Sequence, residues 1–225
     1  MSLLENKENK LNLGSIITVL LGSSWLEMVA DFWKIGKKLW RGLADEGIYE
    51  VLEHEVVLEL KDTKGKRALV RKRQKVRYLQ NNIIAYQDQA WGDGQILVNY
   101  RCTPGFEADR YKSGRKTQIL ISLREVKEKG EEDEFNIEWE HLNGFTKSVE
   151  EWGSEVSHRT KSLQLQVIFP KRRPPKQVSI VEHLRRRTTP LSQENIRKLP
   201  RGKWAATWEI EKPRLHEQYS FKWEW

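Results

Sequence analysis

A chain of 225 residues with 32 % charged side chains is too polar for a multi-span membrane protein, and long enough to bury the core of one ordinary domain plus an appendage. Its one cysteine, Cys102, excludes an intrachain disulfide framework and is compatible with a reducing compartment. The net charge of +8 favours polyanions or anionic lipid as partners without bearing on fold, and ten tryptophans have to be placed.

The hydrophobic period changes near Ala44, from helical spacing to alternation, which divides the chain into an N-terminal segment, residues 1–44, and an all-β domain, residues 45–225. Residues 11–26 carry no charge and include the apolar run Ile16, Ile17, Thr18, Val19, Leu20 and Leu21. As a helix this stretch covers about 24 Å, short of the roughly 30 Å hydrocarbon layer. It can span at a tilt, lie in the interface, dock on the β domain, or be a cleaved signal peptide preceded by Lys7 and Lys10. Ser24 and Glu27 form a capping box. Glu27, Asp31, Lys34, Lys38 and Arg41 then make the polar stripe of a helix whose remainder is apolar. Trp25, Trp33, Lys34, Lys38 and Trp40 are the expected contacts with an anionic membrane surface, and if the segment spans, the basic flank puts the β domain on the cytoplasmic side.

From Tyr49 the pattern is strand after strand. Leu52, His54, Val56, Leu58 and Leu60 share one face, with Glu53, Glu55 and Glu59 on the other. Asp62 to Lys66 reads as a three-residue hairpin loop with Gly65 in the left-handed position, a register that sets Glu55 opposite Arg73 and Glu53 opposite Lys75. Further strands are predicted at 96–102, 117–126, 135–141, 162–169, 178–182, 203–211 and 217–225. With no long amphipathic helix between them, the fold class is mainly β: an antiparallel sandwich or barrel preceded by an N-terminal amphipathic or apolar helix. Residues 170–176, rich in Pro and Arg, read as a stiff loop within one domain.

Candidate binding residues fall into three sets. Arg71, Arg73, Lys75 and Arg77 form a ladder with steps of about 6.8 Å, able to meet phosphates or to pair with the neighbouring glutamates. Arg172 and Arg173, with Arg185 and Arg186, are loop cations with no acid close by in sequence, suited to a polyanion or simply solubilising. Trp208 and Trp223 sit on aromatic faces of the last two strands that either form a stacked core or line a pocket for a flat ligand. Trp91, followed by Gly92, Asp93 and Gly94, marks a tight hairpin turn or a ligand-gripping loop. His54 and His141 alternate with apolar residues and read as satisfied strand histidines. The five histidines lack metal-ligand spacing and no nucleophile or phosphate-loop motif occurs, so neither a metal, a cofactor nor a catalytic residue is predicted.

In layout alone, a short apolar N-terminal segment ahead of a β domain resembles bacterial membrane-tethered β-barrel receptors for cyclic nucleotides used in anti-phage defence; the resemblance covers no motif. It implies a membrane-associated binding or sensor module for an anionic or aromatic ligand such as a nucleotide. The alternatives are a nucleic-acid-binding protein using the Arg71 to Arg77 face, and a hydrolytic enzyme without a recognisable motif. No protein partner follows from the sequence.

Overall fold

The computed structural model describes residues 47–225, so the expected N-terminal helix and its membrane-facing residues Trp25, Trp33, Lys34, Lys38 and Trp40 lie outside the described residues. The first hairpin sets the frame. Strands β1 (Tyr49–Leu60) and β2 (Arg67–Tyr78) pair with Glu55 opposite Arg73 and Glu53 opposite Lys75, as the alternation requires. The Asp62 carboxylate shapes the loop by accepting the Lys64 and Arg67 amides at 2.7 and 2.8 Å. Gly65 adopts φ 67°, and a Cβ there would lie 1.6 Å from the Phe145 carbonyl oxygen, so backbone sterics and packing both demand glycine.

Twelve more strands follow among the described residues: β3 (Ile83–Ala90), β4 (Gln95–Thr103), β5 (Phe106–Ser113), β6 (Lys116–Lys127), β7 (Glu132–Leu142), β8 (Val149–Glu155), β9 (Thr160–Phe169), β10 (Gln177–Glu182), β11 (Arg187–Pro190), β12 (Ile196–Lys198), β13 (Trp204–Glu211) and β14 (Gln218–Glu224). They form three open sheets, ordered β12-β13-β9-β1-β2-β7-β4, β11-β10-β14-β8 and β3-β6-β5. The architecture is therefore sandwich-like, and the barrel alternative is corrected: none of the sheets closes on itself. Nor is the pairing wholly antiparallel, because β1 and β9 run parallel in the middle of the large sheet. A second correction concerns residues 91–94. They make no hairpin turn, since β3 pairs with β6 and β4 with β7, and the chain crosses here from one sheet to another.

Alternation gives the large sheet two unlike faces. Outward lie the arginines of β2 and the glutamates of β1 and β7; inward lie Leu58, Val70, Ile137, Leu165, Val167 and Phe169, all buried. The two small sheets cover that inner face. On one side Phe169 meets Trp223 at 5.7 Å between ring centroids and Trp208 meets Tyr219 at 5.2 Å. On the other, Tyr86 of β3 stacks on Phe135 of β7 at 4.0 Å.

Candidate functional site

The crossover between β3 and β4, the turn after β7, strand β8 and the outward face of β14 frame a cleft of about 360 Å³. His141, the last inward residue of β7 to be buried, anchors its floor. Its Nε2 lies 2.5 Å from the Asp93 carbonyl oxygen. A carbonyl only accepts, so this nitrogen carries the proton and donates. Burial lowers the imidazole pKa, with the Asp93 contact opposing it, which keeps the ring neutral. Glycine flanks it twice: a Cβ at Gly92 or Gly144 would come within 2.7 or 2.3 Å of the ring. The Trp91-Gly92-Asp93 crossover and the turn after β7 can thus close on the imidazole only because neither glycine has a side chain.

Two half-buried indoles, Trp91 and Trp152, border the cleft. The Lys116 ammonium sits 5.6 Å from the Trp91 ring centroid, itself held by Glu155 at 2.6 Å. Glu150, also on the lining and buried, has its Oε1 accepting the Lys147 amide at 2.5 Å. Burial raises its pKa above the ordinary carboxylate value, the Lys147 amide working against that shift. At the mouth Lys147 pairs with Asp93 at 2.7 Å and lowers the Asp93 pKa. Glu151 pairs with His183 at 2.7 Å, and Lys222, opposite Glu151 on the neighbouring strand β14, has no ion-pair partner among the described residues.

The nearest thing to a hydrolytic constellation is also here. His183 Nε2 lies 3.1 Å from Ser220 Oγ, but the same nitrogen is the one that meets Glu151. A relay needs the acid on the opposite ring nitrogen from the nucleophile, so this trio orders the sheet edge and lacks the geometry of a nucleophile, base and orienter. Among the described residues no group of three His, Cys, Asp or Glu side chains is placed to hold a metal ion.

A second polar cluster lies between β2 and the three-stranded sheet. Lys72 points inward and forms an ion pair with Asp88, the two side chains 7 % and 2 % exposed. The Tyr100 hydroxyl donates to the other Asp88 oxygen at 3.1 Å, and Lys72 also lies 5.5 Å from the Trp139 ring centroid. Tyr86 donates to Gln74 alongside. His54 is not the satisfied histidine that its pattern predicts: its Nε2 is buried without a partner, and burial followed by the Lys72 charge lowers its pKa to about 3. Burial, then the Asp88 and Glu107 charges, raise the Cys102 thiol pKa.

The remaining predicted residues are dispersed. Arg73 meets Glu53, Glu55 and Glu134 at 2.7 to 2.8 Å, Arg71 meets Glu59 at 3.0 Å, and Lys75 and Arg77 share Glu132 at 3.0 and 2.6 Å. The ladder is neutralised by its neighbours. Arg173 lies 3.5 Å above the Trp225 ring and donates to the Thr63 carbonyl, whereas Arg172 stays exposed. The expectation that residues 185–187 lack an acid is corrected, because Glu182 pairs with both Arg185 and Arg187 across the β10–β11 turn, leaving Arg186 exposed at its tip. Trp223 is 1 % exposed within the aromatic core and Trp208 is half-buried against Tyr219, so both serve packing. Of the predicted set only Trp91 reaches the cleft. Sequence reading missed His183, Lys222 and the carboxylates of β8, whose one local signal was two successive glutamates, Glu150 and Glu151, beside Trp152.

The chain matches no protein-family model, and no curated protein matches it. By shape it is similar to an M1 zinc metallopeptidase from Deinococcus radiodurans, at 8 % identity and a TM-score of 0.47 over 78 % of this chain and 42 % of that one. A variant of a two-domain M1 zinc metallopeptidase bound to L-arginine gives 9 % identity and a TM-score of 0.49 over 80 % and 45 %. The chain thus spans less than half the length of these structures. No helix among the described residues is long and apolar enough to cross a membrane.

Proposed function

We propose that the β domain is a binding module whose site is the cleft between Trp91 and Trp152, and that its ligand is a small flat molecule of the nucleobase type. The observation that carries this reading is convergence: three stretches far apart in sequence, 91–93, 141–153 and 218–222, bring two indoles, a buried carboxylate and a lysine without an ion-pair partner among the described residues to one concavity of about 360 Å³. That volume suits a compact ligand, and a few fixed polar groups in an aromatic setting are what orient one. Glu150, on the same face of β8 as Trp152, accepts a hydrogen bond from a ring or amino N–H group, while Glu151 stands beside Lys222 on the other face. Lys222 meets an anionic substituent if one is present.

Adenosine monophosphate and adenosine are the probes that separate these contributions, read by tryptophan fluorescence on the full chain. Trp152→Ala lowers affinity for both by about tenfold, the loss of one base–aromatic stack. Lys222→Glu weakens the monophosphate and leaves adenosine unchanged. Failure of both probes to quench, or binding to Trp152→Ala as tight as to the wild type, overturns the reading. Attachment of the module to membranes rests on residues 11–44; flotation of the full chain with anionic liposomes, lost in Ile17→Asp with Leu20→Asp, is its test.

A further inference from the structure

The excess positive charge of this protein is not spread evenly. At one end of the large sheet, three segments distant in sequence come together. The β1–β2 loop brings Lys64 and Lys66, the loop after β9 brings Lys171 and Arg172, and β12 with the turn after it brings Arg197 and Arg201, all six exposed. Specific contacts hold the segments in place. Arg173 bridges the first two, donating to the Thr63 carbonyl at 2.7 Å. The Lys171 stem lies so close over the third that a Cβ at Gly202 would come within 2.9 Å of it. Lys203, just past that turn, shares Glu59 with Lys61 at the end of β1.

The carboxylates at the end of the β1–β2 hairpin are already committed, and the exposed Glu194 ahead of β12 takes the Ser192 hydroxyl. Asp62 accepts backbone amides inside its own loop, and Glu59 is divided among Lys61, Arg71 and Lys203. None of the six exposed cations has an ion-pair partner among the described residues, in contrast to the Arg71 to Arg77 ladder on the same sheet. Local counter-ions therefore come from solution or from a partner, and their release favours a polyanion.

We propose that this end of the sheet docks the phosphate backbone of a single-stranded nucleic acid, independently of the cleft. Nucleic acid is favoured over a lipid surface because the large exposed apolar side chains, Phe106, Tyr111, Val126, Val149 and Leu184, all lie on other elements, leaving the cluster without a wedge for a bilayer. Half of the six are arginines, whose planar forks match phosphate oxygens.

The test is fluorescence anisotropy of the full chain with a labelled mixed-sequence single-stranded oligonucleotide. Arg172→Glu, Arg197→Glu and Arg201→Glu together lower affinity by about tenfold or more and flatten the slope of log affinity against log salt by about 2. The control reverses the same number of charges elsewhere, at Arg101, Lys112 and Arg115, and changes affinity by less than about threefold. Unchanged thermal unfolding shows that both variants are folded. Equal losses in the two variants overturn the proposal, because the binding is then a matter of net charge. So do a salt-independent affinity and vesicles of phosphatidylserine that bind through the cluster while the oligonucleotide does not.

Discussion

The two small sheets cover neighbouring parts of one sheet face, and only the contact with the three-stranded sheet adds a buried ion pair to its aromatic packing. Against the four-stranded sheet the contact is aromatic: Phe145, Phe169, Trp223 and Trp225 meet at centroid distances of 5.7 to 6.4 Å. Against the three-stranded sheet the Tyr86–Phe135 stack is joined by ionic and hydrogen-bonded groups, with Lys72, Asp88, Gln74 and Tyr86 buried and Tyr100 half-buried at the margin. An aromatic contact is non-directional and tolerates partial loss. A buried network holds only while every member has its partner, because the low dielectric that strengthens it also penalises a bare charge. The aromatic contact can lose part of its area and persist, whereas the Lys72–Asp88 pair ties one inward position of β2 to one of β3.

The strongest way to break this contrast is Asp88→Ala. It leaves a buried ammonium, and an unfolding free energy lower by about 3–5 kcal/mol is expected from urea titration. Lys72→Met with Asp88→Leu removes both charges and should recover most of that loss. A single substitution costing less than about 1 kcal/mol would mean that water reaches the pair. Trp223→Ala, the matching cut on the aromatic side, costs about 3–5 kcal/mol through its cavity. Trp223→Phe costs much less, since the indole N–H it removes is buried without a partner. Gly65→Ala follows at about 2–3 kcal/mol, because the hairpin must back away from the Phe145 carbonyl.

Acid sharpens the comparison further. Burial lowers the His54 pKa to about 3, Lys72 adding to it, and burial with the His216 charge lowers that of His158 to about 4. In the unfolded chain both titrate near 6.5, so that state takes up protons first as pH falls. Their stabilisation is complete above about pH 6.5 and is lost at up to about 1.4 kcal/mol per pH unit per histidine, down to the folded values. His54→Leu should flatten the decline of the urea midpoint between neutral and acidic pH, and an unaltered decline would show that His54 is hydrated. The smallest effect belongs to the outer ladder, where Arg73→Ala should cost under about 1 kcal/mol despite three carboxylate contacts, since those groups are solvated.

What the sequence disclosed and what it hid follow from range. The β1–β2 register was legible because Asp62, Gly65 and strict alternation are local signals. The strands β3, β5 and β8 were not: β5 is almost wholly exposed, and β8 holds a glycine and two consecutive glutamates, so neither presents an apolar stripe. The parallel pairing of β1 with β9 joins residues more than a hundred positions apart and leaves no local trace. Lys72 could have been flagged, standing between Val70 and Val76 on the inward face of β2, where a cation requires a buried acid. Its partner Asp88 could not have been chosen without the sheet order. The cleft has the same character: Trp91, Gly92 and Asp93 stood out as a loop and His141 as a strand histidine, but Glu150 and Lys222 join them only through tertiary folding.

The most direct test of the cleft is the indole N–H spectrum of the full chain, labelled with nitrogen-15 at tryptophan, during titration with adenosine monophosphate. The Trp91 and Trp152 signals should move together in a saturable manner, while Trp223, 1 % exposed in the aromatic core, and Trp139, beside the Lys72–Asp88 pair, stay in place. Saturable shifts at Trp204 or Trp208 with Trp91 and Trp152 unmoved, or no shift at all, would contradict the assignment of the cleft as the binding site.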